Sequence, residues 1–388
     1  MSRLDDLIRK FCPEGVEYKT LGEIATDVFR GSGIKRDQVT DDGIPCVRYG
    51  EIYTKYGIWF DKCKSHTKLD YVGVRTKFFS YGDILFAITG ESVEDIAKSC
   101  AYVGTEKCLA GGDIVVLKHK ENPKYLSYAL ATKDARKQKS TGKVKSKVVH
   151  SSVPAIKAIR IPVPPLPVQC EIVRILDNFT ELTAELTAEL TVRKKQYEFY
   201  KEHLLTFGDD VGLAPLADIA AIEKGKQLNK EFLLEVGKYP VFNGGVKESG
   251  FYSESNCSGD AITVSQGGAS AGFVNYQKTN FWAGAHCFVI YAKENISQRF
   301  LYHFIKSKEQ KLQQCKYGAG IPALAKKELN ELRVPVPPIG EQKRIASVLD
   351  RFDALCNDIS IGLPAEIEAR RKQYEYYRDK LLTFPEKQ

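Results

Sequence analysis

The densest run of one chemistry lies between Lys133 and Lys147, where seven Lys/Arg stand against one Asp, with Ser140, Thr141, Gly142 and Ser146 among them. Cations at that spacing on small polar residues suit a polyanion, which they can hold by charge and by hydrogen bonds to its oxygens. A solvated basic surface would have the same composition. Catalytic constellations are missing by comparison. No G-x-x-x-x-G-K-[ST] loop occurs, and the G-S-G at 31–33 and G-G-A-S-A-G at 267–272 read as turns rather than nucleotide cradles. His66, His119, His150, His203, His286 and His303 form no H-E-x-x-H or other ligand pair. Glu17-Tyr18-Lys19 matches the E-x-K fragment of some nucleases but is too short to carry an argument. The ten cysteines are scattered with no C-x-x-C pair, as reduced structural thiols would be. These residue types point to binding rather than catalysis, and no metal or catalytic residue is assigned.

The positive charge is not evenly spread. Of a net +8, residues 161–207 hold five Lys/Arg against seven Asp/Glu and residues 334–388 hold nine of each, so the remaining chain carries +10. The surplus sits on two segments, 1–160 and 208–333, which are the ones expected to meet a polyanion. With 388 residues, 43% hydrophobic and 27% charged, the chain has the composition of a globular protein of two or three domains. The start, MSRLDDLIRKFC, lacks the apolar run of a signal peptide, and no stretch approaches the roughly eighteen apolar residues of a membrane span. A cytoplasmic protein with no membrane partner is expected.

The elements that would position the basic residues follow one plan twice. Residues 3–11 form a helical pattern stopped by Pro13 and Gly15. From Tyr18 to about Lys118, short runs rich in Val, Ile, Phe and Tyr are broken by Gly, Asp and Asn, which predicts strands of a mixed sheet. The sequence predicts one helix over 122–140 with Asn122 as cap before Pro123, feeding the basic stretch as a loop. Residues 213–333 retrace this: LAPLADIAAIEKGK for YKTLGEIATDVFRG, YPVFNGG for IPCVRYG, SGDAITVSQGG for YGDILFAITG, FWAGAHCFVIYAK for CLAGGDIVVLK, then a helix and a Lys316-to-Gly320 loop.

Between and after these segments stands a second kind of repeat. PVPP opens both copies, and Gln169/Gln342, Ile172/Ile345, Leu176-Asp177/Leu349-Asp350 and Phe179/Phe352 follow in step; both close on R-[KR]-K-Q-Y-E-[FY]-Y and LLTF. The first copy is four residues shorter inside, in TELTAELTAEL. PVPP predicts an extended connector, and beyond it apolar residues recur in steps of three and four. The first seam runs Ile172, Leu176, Phe179, Leu182, Leu186, Leu190, Tyr197, Tyr200, Leu204; the second includes Cys356, Ile359, Leu363, Ile367, Tyr374, Tyr377 and Leu381. Two helices packed antiparallel as a coiled coil are expected, the second interrupted at Gly362-Leu363-Pro364.

Two variable segments alternating with PVPP-to-LLTF repeats resemble the specificity subunit (HsdS) of a type I restriction–modification system, over the whole chain. The TAEL tandem, Thr183 to Leu190, is similar to the spacer repeats of one subgroup. Cys170 departs from the pattern, standing where the second copy has Lys343. The resemblance implies an α+β fold with an internal pseudo-two-fold repeat: target-recognition domains at 1–160 and 208–333, separated by antiparallel coiled-coil spacer helices at 161–207 and 334–388. It implies a non-catalytic DNA-binding subunit whose two domains each read half of a split site in double-stranded DNA. The helices would set the gap and dock two modification (methyltransferase) subunits, to which ATP-dependent restriction subunits are added. S-adenosylmethionine, ATP and Mg²⁺ would belong to those partners, with no cofactor in this chain. A duplicated protein-binding scaffold and a self-contained restriction or modification enzyme are the alternatives.

On that resemblance, phosphate contacts would position each domain and base-edge contacts in the major groove would specify the sequence. Lys143, Lys145 and Lys147 are the phosphate candidates of the first domain; Arg30, Lys35, Arg36, Arg48 and Tyr49, in Gly-rich turns, are its base readers. Lys224, Lys226, Gln227, Asn243, Gln266, His286, Lys316 and Tyr317 are the equivalents in the second.

Overall fold

The computed structural model describes residues 2–73, 76–140, 143–145, 148–317 and 322–387. It divides into two compact units, Met1–Glu185 with Ile367–Gln388, and Leu186–Glu366. Each unit is an α+β body built on the same strand plan, so the duplicated sequence pattern is a duplicated fold.

In the first unit, strands are ordered Asp27–Arg30, Ile114–Lys118, Ile84–Ala87, Ser99–Tyr102 and Trp59–Phe60. The last pair is parallel and the others antiparallel. The ILFA strand at 84–87 is buried along its whole length, with a different neighbour on each face. Ile84 and Phe86 join the core beneath Tyr125, Leu126 and Tyr128, whereas Leu85 and Ala87 join the one containing Phe79 and Tyr102. Alternation of side chains about a pleated strand lets one element feed two cores. The second core is closed by another five-stranded sheet, in which Ile44–Val47 and Cys108–Ala110 run parallel.

The second unit keeps the central part of this plan. Its four-stranded sheet is ordered Ala220–Lys224, Cys287–Ala292, Ala261–Ser265, Val274–Gln277. In its three-stranded sheet, Tyr239–Phe242 runs parallel to Trp282–Ala283. Ile262 and Val264 face the core with Phe300 and Leu301, while Ala261 shares a small cluster with Phe281 and Val289.

Three local expectations need correction. The helix expected over 122–140 is two helices, Pro123–Leu130 and Lys133–Lys139, because the Thr132 hydroxyl accepts the Ala135 N–H at 3.3 Å and starts a new cap. The basic stretch is therefore not a plain loop. Its Lys139 lies inside the unit, 7% exposed, with the ammonium donating to Ser99 Oγ at 3.0 Å. Ile359, expected on the second seam, is 83% exposed because it falls between the helices Ile339–Asn357 and Leu363–Leu381. The break itself lies where Gly362 and Pro364 placed it.

The first repeat copy forms one helix, Leu166–Leu204, of 39 residues and about 58 Å. Within the first unit, Phe179 on this helix stacks on Tyr377 at 5.5 Å. Within the second, Tyr197 and Tyr200 stack on Phe352 at 6.1 and 5.4 Å, and Lys194 lies beside Cys356. Within the second unit, residues advance along this helix as their partners recede along Ile339–Asn357, which is antiparallel pairing. No helix among the described residues is long and apolar enough to cross a membrane.

Candidate nucleic-acid interface

The sheet strand Asp27–Arg30 ends at a crossing of backbones. Gly31 N–H donates to the Ile114 carbonyl at 2.8 Å, Ser32 N–H to Ala110 at 2.8 Å, and Gly111 N–H to Val47 at 2.8 Å. Ile88 N–H closes the ring on the Asp113 carbonyl at 3.0 Å. A Cβ on residue 31 would lie 2.3 Å from the carbonyl oxygens of both Ala110 and Gly111, so only glycine fits. This ring fixes the roots of Arg30, Arg48 and Asp113 around an open concavity of about 370 Å³ that Lys35 and Tyr49 also line.

Side chains there are tied in different ways. Arg30 donates through Nε to the Gly112 carbonyl and through Nη2 to Asp113 Oδ1, the latter at 2.7 Å. The Arg48 N–H is capped by Glu51 Oε2 at 2.9 Å, and Glu51 in turn accepts from Ser65 Oγ at 2.6 Å and Lys55 Nζ at 2.9 Å. Burial alone would raise the Glu51 carboxyl, but these bonds outweigh it and hold it below its ordinary value. Tyr49 is thereby presented at the start of the helix Tyr49–Thr54, 37% exposed. Lys35 and Arg36 are exposed, Arg36 in the short turn Arg36–Gln38 rather than in the concavity.

The second unit builds the same ring from different residues. Gly225 N–H donates to Cys287 at 2.9 Å, Lys226 N–H to Ala283 at 2.9 Å, Gly284 N–H to Phe242 at 2.8 Å, and Gln266 N–H to His286 at 2.8 Å. Residue by residue, Lys224 stands where Arg30 does, Asn243 where Arg48 does, and His286 where Asp113 does. Asn243 Oδ1 accepts the His286 N–H at 3.1 Å, across Gly284, where a Cβ would come within 2.4 Å of that oxygen. The structure thus brings Asn243, Gln266 and His286 together, with Lys224, Lys226 and Gln227 exposed beside them.

Backbone pairing extends from the ring in each unit. Lys143–Lys145 pairs with Val148–His150, which pairs with Thr89–Gly90 next to Ile88. In the second unit, Gly267 and Tyr317 both bridge to Ala323, next to Gln266. Lys143 and Lys145 are on the outer strand of the first unit's three-stranded sheet, and Lys147 lies outside the described residues. Tyr317 is 58% exposed, and Lys316 Nζ donates to the Ala269 carbonyl at 2.9 Å. Glu17 and Lys19 of the nuclease-like fragment pair with each other at 2.8 Å.

Residues 13–192 and 209–369 match the type I restriction modification DNA specificity domain, leaving out 1–12, 193–208 and 370–388. The chain belongs to this family. A specificity subunit of a type I restriction enzyme from Escherichia coli is 37% identical over 259 residues, which is 59% of this chain and 64% of that protein. The alignment therefore spans less than two thirds of that relative's length. A type I specificity subunit from Mycoplasma pneumoniae is 34% identical over 305 residues, covering 71% of this chain and 87% of that one. The crystal structure of the S subunit from the type I system of M. genitalium has the same fold, with TM-score 0.65 at 18% identity over 95% of this chain and 96% of that one.

The matching residues of the two repeats have a common task. Gln169, fully buried, accepts the Asn122 N–H at 3.0 Å and donates to the Pro164 carbonyl at 2.7 Å. Gln342 accepts the Ser297 N–H at 2.8 Å and donates to Pro337 at 2.8 Å. About two turns along, Asp177 accepts from Lys124 Nζ and Tyr128 Oη, both at 2.7 Å, and Asp350 accepts from Arg299 and from His303 Nε2, the latter at 2.6 Å. The repeats thus anchor each repeat helix to the helix that roofs its own sheet. Sequence reasoning found these residues by repetition but not their partners, and it passed over Asp113, whose only signal was the alignment of CLAGGD with FWAGAH.

Proposed function

We propose that this chain is the DNA sequence-specificity subunit of a type I restriction–modification enzyme, and that it catalyses nothing itself. Residues 1–160 and 208–333 are its target-recognition domains, each reading one half of a split site in double-stranded DNA. The spacer helices at 161–207 and 334–388 set the gap and dock two methyltransferase subunits, which carry S-adenosylmethionine. Restriction subunits using ATP and Mg²⁺ join that core in the cytoplasm.

The observation that carries this reading is the duplicated ring. Its backbone bonds are the same in both units while the side chains rooted on it differ, Arg30, Arg48 and Asp113 against Lys224, Asn243 and His286. A fixed frame with exchanged donors and acceptors suits two readers of different base sequences. The surplus +10 charge outside the repeats, with the Lys143–Lys145 strand in the sheet that leaves the ring at Thr89–Gly90, supports phosphate binding there.

Mapping modified adenines across the genome of cells carrying this chain and its modification subunits tests the proposal. A split motif with a fixed nonspecific gap is the expected result, and a short continuous palindrome is the contrary one. Turnover of DNA by the purified chain with Mg²⁺ and S-adenosylmethionine alone would show instead a self-contained enzyme.

A further inference from the structure

Arg30 is held by its side edge and left open at its end. The guanidinium has five donors, and the pair on one edge, Nε and Nη2, is taken by the Gly112 carbonyl and by Asp113 Oδ1. The opposite, end-on pair from Nη1 and Nη2 is the one that matches the O6 and N7 acceptors of a guanine in the major groove. Arg30 and Asp113 are 58% and 39% exposed, so their ion pair adds little to folding stability. What it does fix is the direction of a long side chain that otherwise samples many rotamers. The wall behind it is free of side chains: Gly112 passes Gly33 so closely that a Cβ on Gly112 would meet the Gly33 Cα at 3.2 Å. A flat base edge can approach such a wall.

We propose that Asp113 is a positioning residue that clamps Arg30 side-on, so that Arg30 reads a guanine in the half-site of the first unit. This rests on the DNA-reading function proposed above and narrows it to one position and one base. The second unit has no such lock. Lys224 occupies the register of Arg30 and His286 that of Asp113, and a lysine ammonium has no fork to present. The two half-sites therefore differ at this position.

The test is the modified motif made in cells by the full chain with its modification subunits, comparing wild type with Arg30→Lys, Asp113→Ala and Asp113→Asn. Wild type should show a guanine at one fixed position of the first half-site. In Arg30→Lys and Asp113→Ala, selection for that guanine should fall about 10- to 100-fold, the range of one lost bidentate base contact. Asp113→Asn, which keeps an acceptor for Nη2, should retain much of the selection. The second half-site and the gap should be unchanged in all three, which also reports that each variant folds and assembles. If a variant makes no modification at all, the remaining two decide the matter. Unchanged selection in Asp113→Ala, or relaxation at a base other than guanine, overturns the lock while leaving DNA reading intact. A wild-type motif that is not split would instead remove the function on which the lock rests.

Discussion

The side-chain oxygen of Gln342 accepts the backbone N–H of Ser297 at 2.8 Å, 45 residues upstream. Its amide donates to the Pro337 and Asn295 carbonyls, at 2.8 and 3.3 Å, so one buried side chain serves three backbone groups. In the first unit, Gln169 makes the same bonds to Asn122 and Pro164, with Glu121 as a further acceptor. This explains why glutamine is kept in both repeats although the residues beside it differ.

Replacing Gln342 with Leu keeps the bulk and strands those backbone groups in the core. Roughly 2–3 kcal/mol of stability should be lost. Urea unfolding measures it: the midpoint should fall with little change in slope, and an unchanged midpoint would show that water serves these groups as well.

Asp350 makes stability depend on acid. Burial of its carboxyl works to raise the pKa, but the bonds from His303 and Arg299 outweigh it and hold the group at about 2, below the ordinary 3.8. A depressed carboxyl stabilises the fold above the unfolded value and ceases to do so as pH falls through the folded one. Asp350→Asn should therefore lower the thermal midpoint near pH 7, by the equivalent of ~1–2 kcal/mol given its 35% exposure. Near pH 2 wild type and variant should converge; a constant difference across the range would contradict the assignment.

Lys139 should make stability rise with pH in a higher window. Burial drives its ammonium down to about 7 from the ordinary 10.5. Between those values the unfolded chain binds more protons, so the native state gains stability as pH rises, and below about 7 it bears the whole cost of a buried charge. Each tenfold loss of proton affinity on burial corresponds to roughly 1.4 kcal/mol. Lys139→Met should accordingly raise the thermal midpoint at pH 6 by more than at pH 10. Equal gains at both values would mean that packing, not charge, is what changed.

The proposed spacer can be lengthened in place. An extra TAEL after Leu190 adds four residues, about 6 Å of helix, which lies between one and two base-pair steps of roughly 3.4 Å. The modified motif should gain about one base pair in its nonspecific gap with both half-sites unchanged. An altered half-site beside an unchanged gap would show that this helix is not the ruler.

Local sequence was enough for whatever depends on period or on near neighbours. The PVPP-to-LLTF repeats, the two-fold plan of strands and the break at Gly362-Leu363-Pro364 were legible because helix seams, strand alternation and proline act over a few residues. The split at Thr132 and the exposure of Ile359 were less so, since a cap and a turn each compete with a seam that would otherwise continue. What only the tertiary structure decided are the pairings across long separations. Arg30 meets Asp113 over 83 residues, and Lys139 reaches Ser99 over 40. Such pairs form because Gly31 lets two backbones cross at a distance no side chain would tolerate, and because the Lys133–Lys139 helix packs on the sheet at Ser99. Residue types told which groups could bind an anion or a base edge. The closed backbone ring determined which of them stand together.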